Sequence, residues 1–200
     1  MVFETIFILW LLVDKKHLSP FAARKLCHAG SGLIMMMLNC DVTLPRFFIY
    51  AVVIISLTMN WQVFPSLLPN FWFGEPKDIG ITLYLIIVAG WVYVKLPLRI
   101  LAPVFTADPA GAVVGKWVSA NYPHLNRKWW GEKTIAGSLA VFVMTYYTLW
   151  RPLDVSSRLG VALLAMVGEA IGGAFDNLVI ALVVIAFSYH SMVAVSPGGS

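Results

Sequence analysis

The sequence predicts an all-α fold, a multi-pass transmembrane helical bundle of about six to eight helices, some of them short or broken. Three observations predict it. Of 200 residues 60% are hydrophobic and 12% charged, with a mean hydropathy of +0.81, which leaves too little polar surface to cover a soluble core. Apolar runs alternate with short charged breaks along the whole chain. Carboxylates also interrupt those runs, at Asp108 and between Gly168 and Asn177. A carboxyl group at bilayer depth costs roughly 2.5 to 3.5 kcal/mol, so it is turned inward, paired, hydrated or bound to a cation.

With a rise of about 1.5 Å per residue, a span takes roughly 20 residues, and the whole chain, residues 1–200, reads as a single integral membrane domain. Candidate spans lie near 1 to 13, 26 to 40, 47 to 64, 79 to 96, 100 to 120, 134 to 150 and 158 to 195, the last as two segments. The opening run, Met1 to Val13, is followed by Asp14-Lys15-Lys16 and lacks the basic start and small-residue cleavage site of a secretory signal. The second helix has a clear beginning, with Ser19 as cap and Pro20 in the first turn, and it carries Arg24 and His28 on one face. Cys27 and Cys40 are expected on that one helix, about 20 Å apart and beyond disulfide reach.

The formal charge of +4 does not point to nucleic acid, because the basic residues sit between apolar runs. With the amino terminus outside, the loops near 14 to 25, 61 to 78 and 116 to 133 are cytosolic and hold nine of the 14 Lys and Arg. Arg46, Lys95, Arg99, Arg151 and Arg158 fall opposite. The same parity sends Arg24, Lys25 and His28, Lys77-Asp78, Lys116 with Lys133, and the break at Gly168 to Asn177 to one membrane face.

Several motifs carry chemistry. Asp108-Pro109 has the form of a helix start, Asp as N-cap and Pro in the first turn, while a carboxylate at that depth is equally a metal or proton site. Gly111 and Gly115, four apart, suit close helix packing. Gly131-Glu-Lys-Thr-Ile-Ala-Gly-Ser138 places a lysine, hydroxyls and glycines at a helix start, where backbone N–H groups favour phosphate. It is not a Walker A loop, since Glu132 precedes Lys133; Arg127, Lys128, Trp129 and Trp130 beside it also read as a headgroup anchor. In Gly168-Glu-Ala-Ile-Gly-Gly-Ala-Phe-Asp-Asn177, a bend at the glycines would let Glu169 and Asp176 approach one cation. Phe71 to Asp78 reads as an interfacial aromatic loop. No His/Cys cluster has zinc spacing and there is no Gly-x-Ser-x-Gly elbow.

Taken in order, Arg24-Lys25-x-x-His28, Lys77-Asp78-x-Gly80-x-x-x-Tyr84, Asp108 to Gly115-Lys116, Lys133-Thr-Ile-Ala-Gly137-Ser138 and Glu169 to Asp176-Asn177-Leu178 resemble the polyprenol kinase family. That family includes dolichol kinase, phytol and farnesol kinases and CTP-dependent diacylglycerol kinase, and it is more distantly similar to CDP-diacylglycerol synthases. The resemblance runs from about residue 20 to 185. The chain departs from it at Lys116, where arginine is common, at Trp117-Val-Ser-Ala, where a second glycine is common, and at Ile180-Ala181, where proline is usual.

The resemblance implies a CTP-dependent lipid-alcohol kinase that uses Mg²⁺ and acts on phytol, farnesol, dolichol or diacylglycerol at the membrane interface. It implies catalytic roles for Asp108, Lys133 and Asp176 and metal binding by Asp108, Glu169 and Asp176. Nucleotide and phosphate would be held by Arg24, Lys25, His28, Gly115, Lys116, Lys133, Thr134, Gly137, Ser138 and Asn177. A cytidylyltransferase making CDP-lipid is the nearest enzymatic alternative, and a small ion-coupled transporter using the same carboxylates is the non-enzymatic one.

Overall fold

Ser19-Pro20 opens the first described helix as the sequence predicts: the Ser19 hydroxyl accepts a hydrogen bond from the Ala22 N–H at 3.2 Å. The computed structural model describes residues 18–150 and 153–195, with side chains through Ser188. The expected span near residues 1 to 13 lies outside the described residues. Two compact units result, one up to Leu98 and one from Arg99 onward, and each has its own framework.

In the first unit, α1 (Pro20–Met36), α2 (Thr43–Asn60) and α3 (Ile79–Tyr93) are joined by turns. α1 ends at Met36, so Cys40 falls in the following turn and does not share a helix with Cys27 as expected; both thiols are free. The long connection from 61 to 78 is tied at its base by Asn60, which is fully buried. Its Nδ2 donates to the Asp78 carbonyl and the Thr82 hydroxyl, both at 3.0 Å, and its Oδ1 accepts from the Asp78 N–H at 3.1 Å. One carboxamide thus joins the end of α2 to the start of α3, meeting its own hydrogen-bonding needs in the process.

A 3-10 turn that begins at the last residue of the first unit, Leu98–Leu101, leads into α4 (Ala102–Asn121) of the second. Here the expected helix start moves upstream: Pro103 occupies the first turn, and Asp108 and Pro109 lie inside the helix. Every residue from Ala102 to Pro109 is buried. Tertiary packing therefore carries the helix through a proline that, by its own propensity, would begin one. After α4 the all-α expectation fails locally, because β1 (Lys128–Trp130) and β2 (Lys133–Thr134) form a two-stranded antiparallel ribbon, turned at Gly131 with φ +49°. Two such short strands have no alternating apolar pattern to announce them.

The rest is helical: α5 (Ile135–Thr148), α6 (Val155–Gly172) and α7 (Asp176–Val195). Asp154 caps α6, accepting from the N–H groups of Ser156 and Ser157 at 2.9 and 3.1 Å. The Ser156 hydroxyl and these N–H groups hold its carboxyl well below the usual carboxylate range. The expected break in the last apolar run is a 3-10 turn, Gly173–Phe175, with Gly173 at φ +55°. Among the described residues three stretches are long and apolar enough to cross a membrane, Thr43–Asn60, Leu98–Asn121 and Val155–Ser188, the last containing this turn. Ile79–Tyr93 and Ile135–Thr148 are apolar but shorter.

α4 and α5 approach closely where both carry glycine. A Cβ on Gly115 would lie 2.9 Å from the Thr134 hydroxyl oxygen and 3.3 Å from the Gly137 Cα; one on Gly137 would lie 2.9 Å from the Gly111 carbonyl oxygen. Gly115→Val is therefore expected to destabilise the protein by about 1 to 3 kcal/mol, the usual scale of overpacking. Gly90→Ala meets nothing within 4 Å and is expected to leave stability unchanged or raise it. Denaturation of the two variants in the same detergent checks the contrast.

Candidate active site

The second unit gathers three acids that are distant in sequence. Asp108 sits on the buried part of α4, Glu169 one turn before the end of α6, and Asp176 at the first position of α7. One carboxylate oxygen from each lies within 4.8 Å of the others. Asp108 and Glu169 are 7% and 4% exposed, which makes them interior groups despite their charge.

The local sequence explains the meeting of Glu169 and Asp176. Gly168 has no room for a side chain beside Val179, so α6 and α7 pack closely at this level. Gly173 then takes a left-handed conformation that reverses the chain within the three-residue turn. Asp176 comes out at the amino end of α7, where the helix dipole favours a negative group, and its Oδ1 accepts from the Asn177 N–H at 2.7 Å.

Lys133 supplies the positive charge. Its Nζ donates to Glu169 Oε1 and stands 3.9 Å from Asp176 Oδ2. Three carboxylate side chains gathered within 4.8 Å crowd like charge in a low-dielectric site, an arrangement that can hold a cation among them. The ligand chemistry agrees: the donors are oxygens, which suit a hard divalent ion such as Mg²⁺. Asn177, next to Asp176 in sequence, has a buried Oδ1 with no hydrogen-bond partner among the described residues.

The helix start after Lys133 is arranged differently from a phosphate cradle. The Ile135 N–H donates to the Arg127 carbonyl at 3.1 Å, Ala136 N–H to Asn126 Oδ1 at 2.9 Å and Gly137 N–H to the Thr134 hydroxyl at 3.3 Å. The first N–H groups of α5, which a phosphate would need, are thus taken by the protein itself. Ser138 is buried and accepts from the Trp129 indole N–H at 2.8 Å. Gly115 and Gly137 face each other across the α4–α5 contact, and Lys116 is exposed on α4 two turns beyond Asp108.

Asn126 is the residue that sequence reasoning missed. Buried at 6% exposure, it donates from Nδ2 to the Gly115 carbonyl at 2.9 Å and the Ser119 hydroxyl at 2.8 Å while accepting from Ala136. It fastens the end of α4, the ribbon and the start of α5 together, and so fixes where Lys133 emerges. A lone asparagine between Leu125 and Arg127 carries no sequence signal for such a role.

The predicted basic residues of the first unit have their own neighbours. Arg24 Nη1 lies 2.7 Å from Asp78 Oδ2, and Asp78 caps α3 by accepting from the Ile81 N–H at 3.0 Å. The His28 ring meets the edge of Tyr84 at 4.4 Å, and the Tyr84 hydroxyl lies 3.1 Å from that of Ser31. Lys25 follows Arg24 on α1.

Comparison with models of known protein families, with curated proteins and with solved structures finds no match.

Proposed function

We propose that this chain is a multi-pass membrane enzyme that transfers the terminal phosphoryl group of CTP to a lipid alcohol, with Mg²⁺ as its metal. The observation that carries the reading is the meeting of Asp108, Glu169 and Asp176 beside Lys133. The ordered resemblance to polyprenol kinases names those same residues. Membrane residence is supported by the three long apolar stretches and by large apolar side chains left exposed along them, among them Phe47, Ile54, Val113, Leu163 and Leu182.

In the transfer, the oxygen of the lipid alcohol forms a bond to the terminal phosphorus of CTP, the bond from that phosphorus to the bridging oxygen breaks, and CDP leaves. The proton of the alcohol passes to a carboxylate, for which Asp108 is the proposed acceptor. Asp108, Glu169 and Asp176 would hold Mg²⁺, which would neutralise phosphate charge there. Lys133 balances the acids and adds a cation for phosphate oxygens, and exposed Lys116 is a second such cation. An apolar exterior leaves the lipid tail in hydrocarbon while its hydroxyl meets a soluble nucleotide at the interface.

The test is purified protein with Mg²⁺, CTP labelled in its terminal phosphate, and phytol, farnesol, dolichol and diacylglycerol as acceptors. Label should move to at least one alcohol with release of CDP, and chelation should stop it. Formation of CDP-lipid and pyrophosphate from phosphatidate would replace this reading with a cytidylyltransferase. Ion movement without nucleotide use would replace it with a transporter.

A further inference from the structure

The end of the α5–α6–α7 group away from the carboxylates holds a second set of polar side chains that the transfer reaction does not use. Arg158 is 6% exposed, and its Nε and Nη1 have no hydrogen-bond partner among the described residues. Its guanidinium carbon lies 4.6 Å from the ring centroid of Tyr146 and 5.4 Å from that of Trp150. Thr145 is fully buried and Ser188 is 3% exposed, and neither hydroxyl has a partner among the described residues.

These residues share one level of the structure. Arg158 belongs to the buried face of α6 formed with Val161, Ala162, Ala165 and Glu169. Ser188 belongs to the buried face of α7 formed with Asn177, Ile180, Ala181 and Val184. Close approaches of Gly168 to Val179 and of Gly160 to Phe187 fix the antiparallel register of the two helices, which sets Ser188 beside the turn that carries Arg158. The Tyr146 contact brings the end of α5, and with it Thr145, to the same level. Between this level and the carboxylates the inward faces of α6 and α7 are wholly apolar, a rise of about 16 Å along a helix.

A buried guanidinium without a hydrogen-bond partner among the described residues, with two unmet hydroxyls at the same level of the structure, has the chemistry of an anion site. Aromatic faces offset only part of the cost of desolvating a full positive charge, and water meets hydrogen bonds without supplying the missing charge. Oxygens of a phosphate group supply both. Arg158 stands one turn inside the start of α6, where Asp154 is exposed, so this level is close to a membrane surface rather than at bilayer depth. Leu159 and Leu163 beside it present exposed apolar surface on which acyl chains can lie.

We infer that Arg158, Thr145 and Ser188 form a phosphate-binding site for an anionic lipid headgroup, at the membrane surface opposite the carboxylate cluster. The inference rests on the membrane-spanning part of the reading above and not on the transfer reaction. Its readout is binding, so turnover with CTP and this site can each fail alone.

The experiment uses full-length protein stripped of lipid in a neutral detergent, with melting temperature followed against added phosphatidylglycerol and, separately, inorganic phosphate. Phosphatidylglycerol should raise the melting temperature saturably. Arg158→Gln should shift the half-saturating concentration upward by roughly tenfold or more, the scale of one lost charge-assisted hydrogen bond. Thr145→Val and Ser188→Ala should each shift it a few-fold in the same direction. An equal, Arg158-dependent response to inorganic phosphate would keep the phosphate site and identify free phosphate as its source. A response in Arg158→Gln equal to that of the unmodified protein would overturn the site. Should Arg158→Gln not fold, an unchanged response in the Thr145→Val/Ser188→Ala double variant would overturn it equally.

Discussion

Asp108→Asn is expected to lower CTP-dependent phosphoryl transfer by at least about a hundredfold while leaving the protein folded. Because Asp108 lies inside α4 and does not cap it, the substitution touches no helix terminus. What it removes is one of three negative charges whose oxygens lie within 4.8 Å of one another. Without a divalent cation those charges repel, so the variant should be at least as stable as the unmodified protein in EDTA. With Mg²⁺ the order should reverse: the unmodified protein gains about 2.7 kcal/mol at a hundredfold excess over the dissociation constant, and the variant gains far less. Melting curves with EDTA and with saturating Mg²⁺, run beside the transfer assay, separate the two contributions. Near-normal turnover together with an undiminished Mg²⁺ effect would remove Asp108 from the site and leave Glu169 and Asp176 as its acids.

Lys133→Ala is expected to be the more damaging of two lysine substitutions that look alike in sequence. Lys133 pairs with Glu169, whose side chain is 6% exposed, and breaking a buried pair leaves an uncompensated charge at a cost of roughly 3 kcal/mol or more. Lys128 pairs with Glu132, and both side chains are largely in solvent at 58% and 88% exposure. Loss of that pair should cost under about 1 kcal/mol and leave transfer nearly intact. Mg²⁺ should stabilise Lys133→Ala more than it stabilises the unmodified protein, since the metal charge then stands in for the missing ammonium. Equal losses in the two variants would reduce this loop to a generic basic surface.

Much of the secondary structure was legible because its signals are local. Ser19-Pro20 and the apolar runs mark helices whose ends depend on residues within a turn or two, and the glycines before Asp176 mark the break. Other boundaries moved for a reason that local signals do not contain. Asp108-Pro109 has the form of a helix start, yet the buried stretch from Ala102 to Pro109 carries the helix through it. The Lys128–Thr134 ribbon is shorter than any periodicity can register.

The acids of the candidate site could be named from sequence, because carboxylates are costly inside apolar runs and therefore conspicuous there. Their arrangement could not. Whether Asp108 reaches Glu169 and Asp176 depends on how α4, α6 and α7 pack, and whether Lys133 joins them depends on the ribbon that Asn126 holds in place. Arg158 makes the same point from the other side: in sequence it is one basic residue among 14, and only burial between Tyr146 and Trp150 makes it a charge in need of a partner. Composition and apolar periodicity by themselves determined a mostly helical chain with stretches fit to cross a membrane, since both follow from the chemistry of neighbouring residues. Tertiary structure alone decided which polar groups meet and which are left without partners, because contacts between residues tens of positions apart are set by helix packing, and packing is fixed by shape.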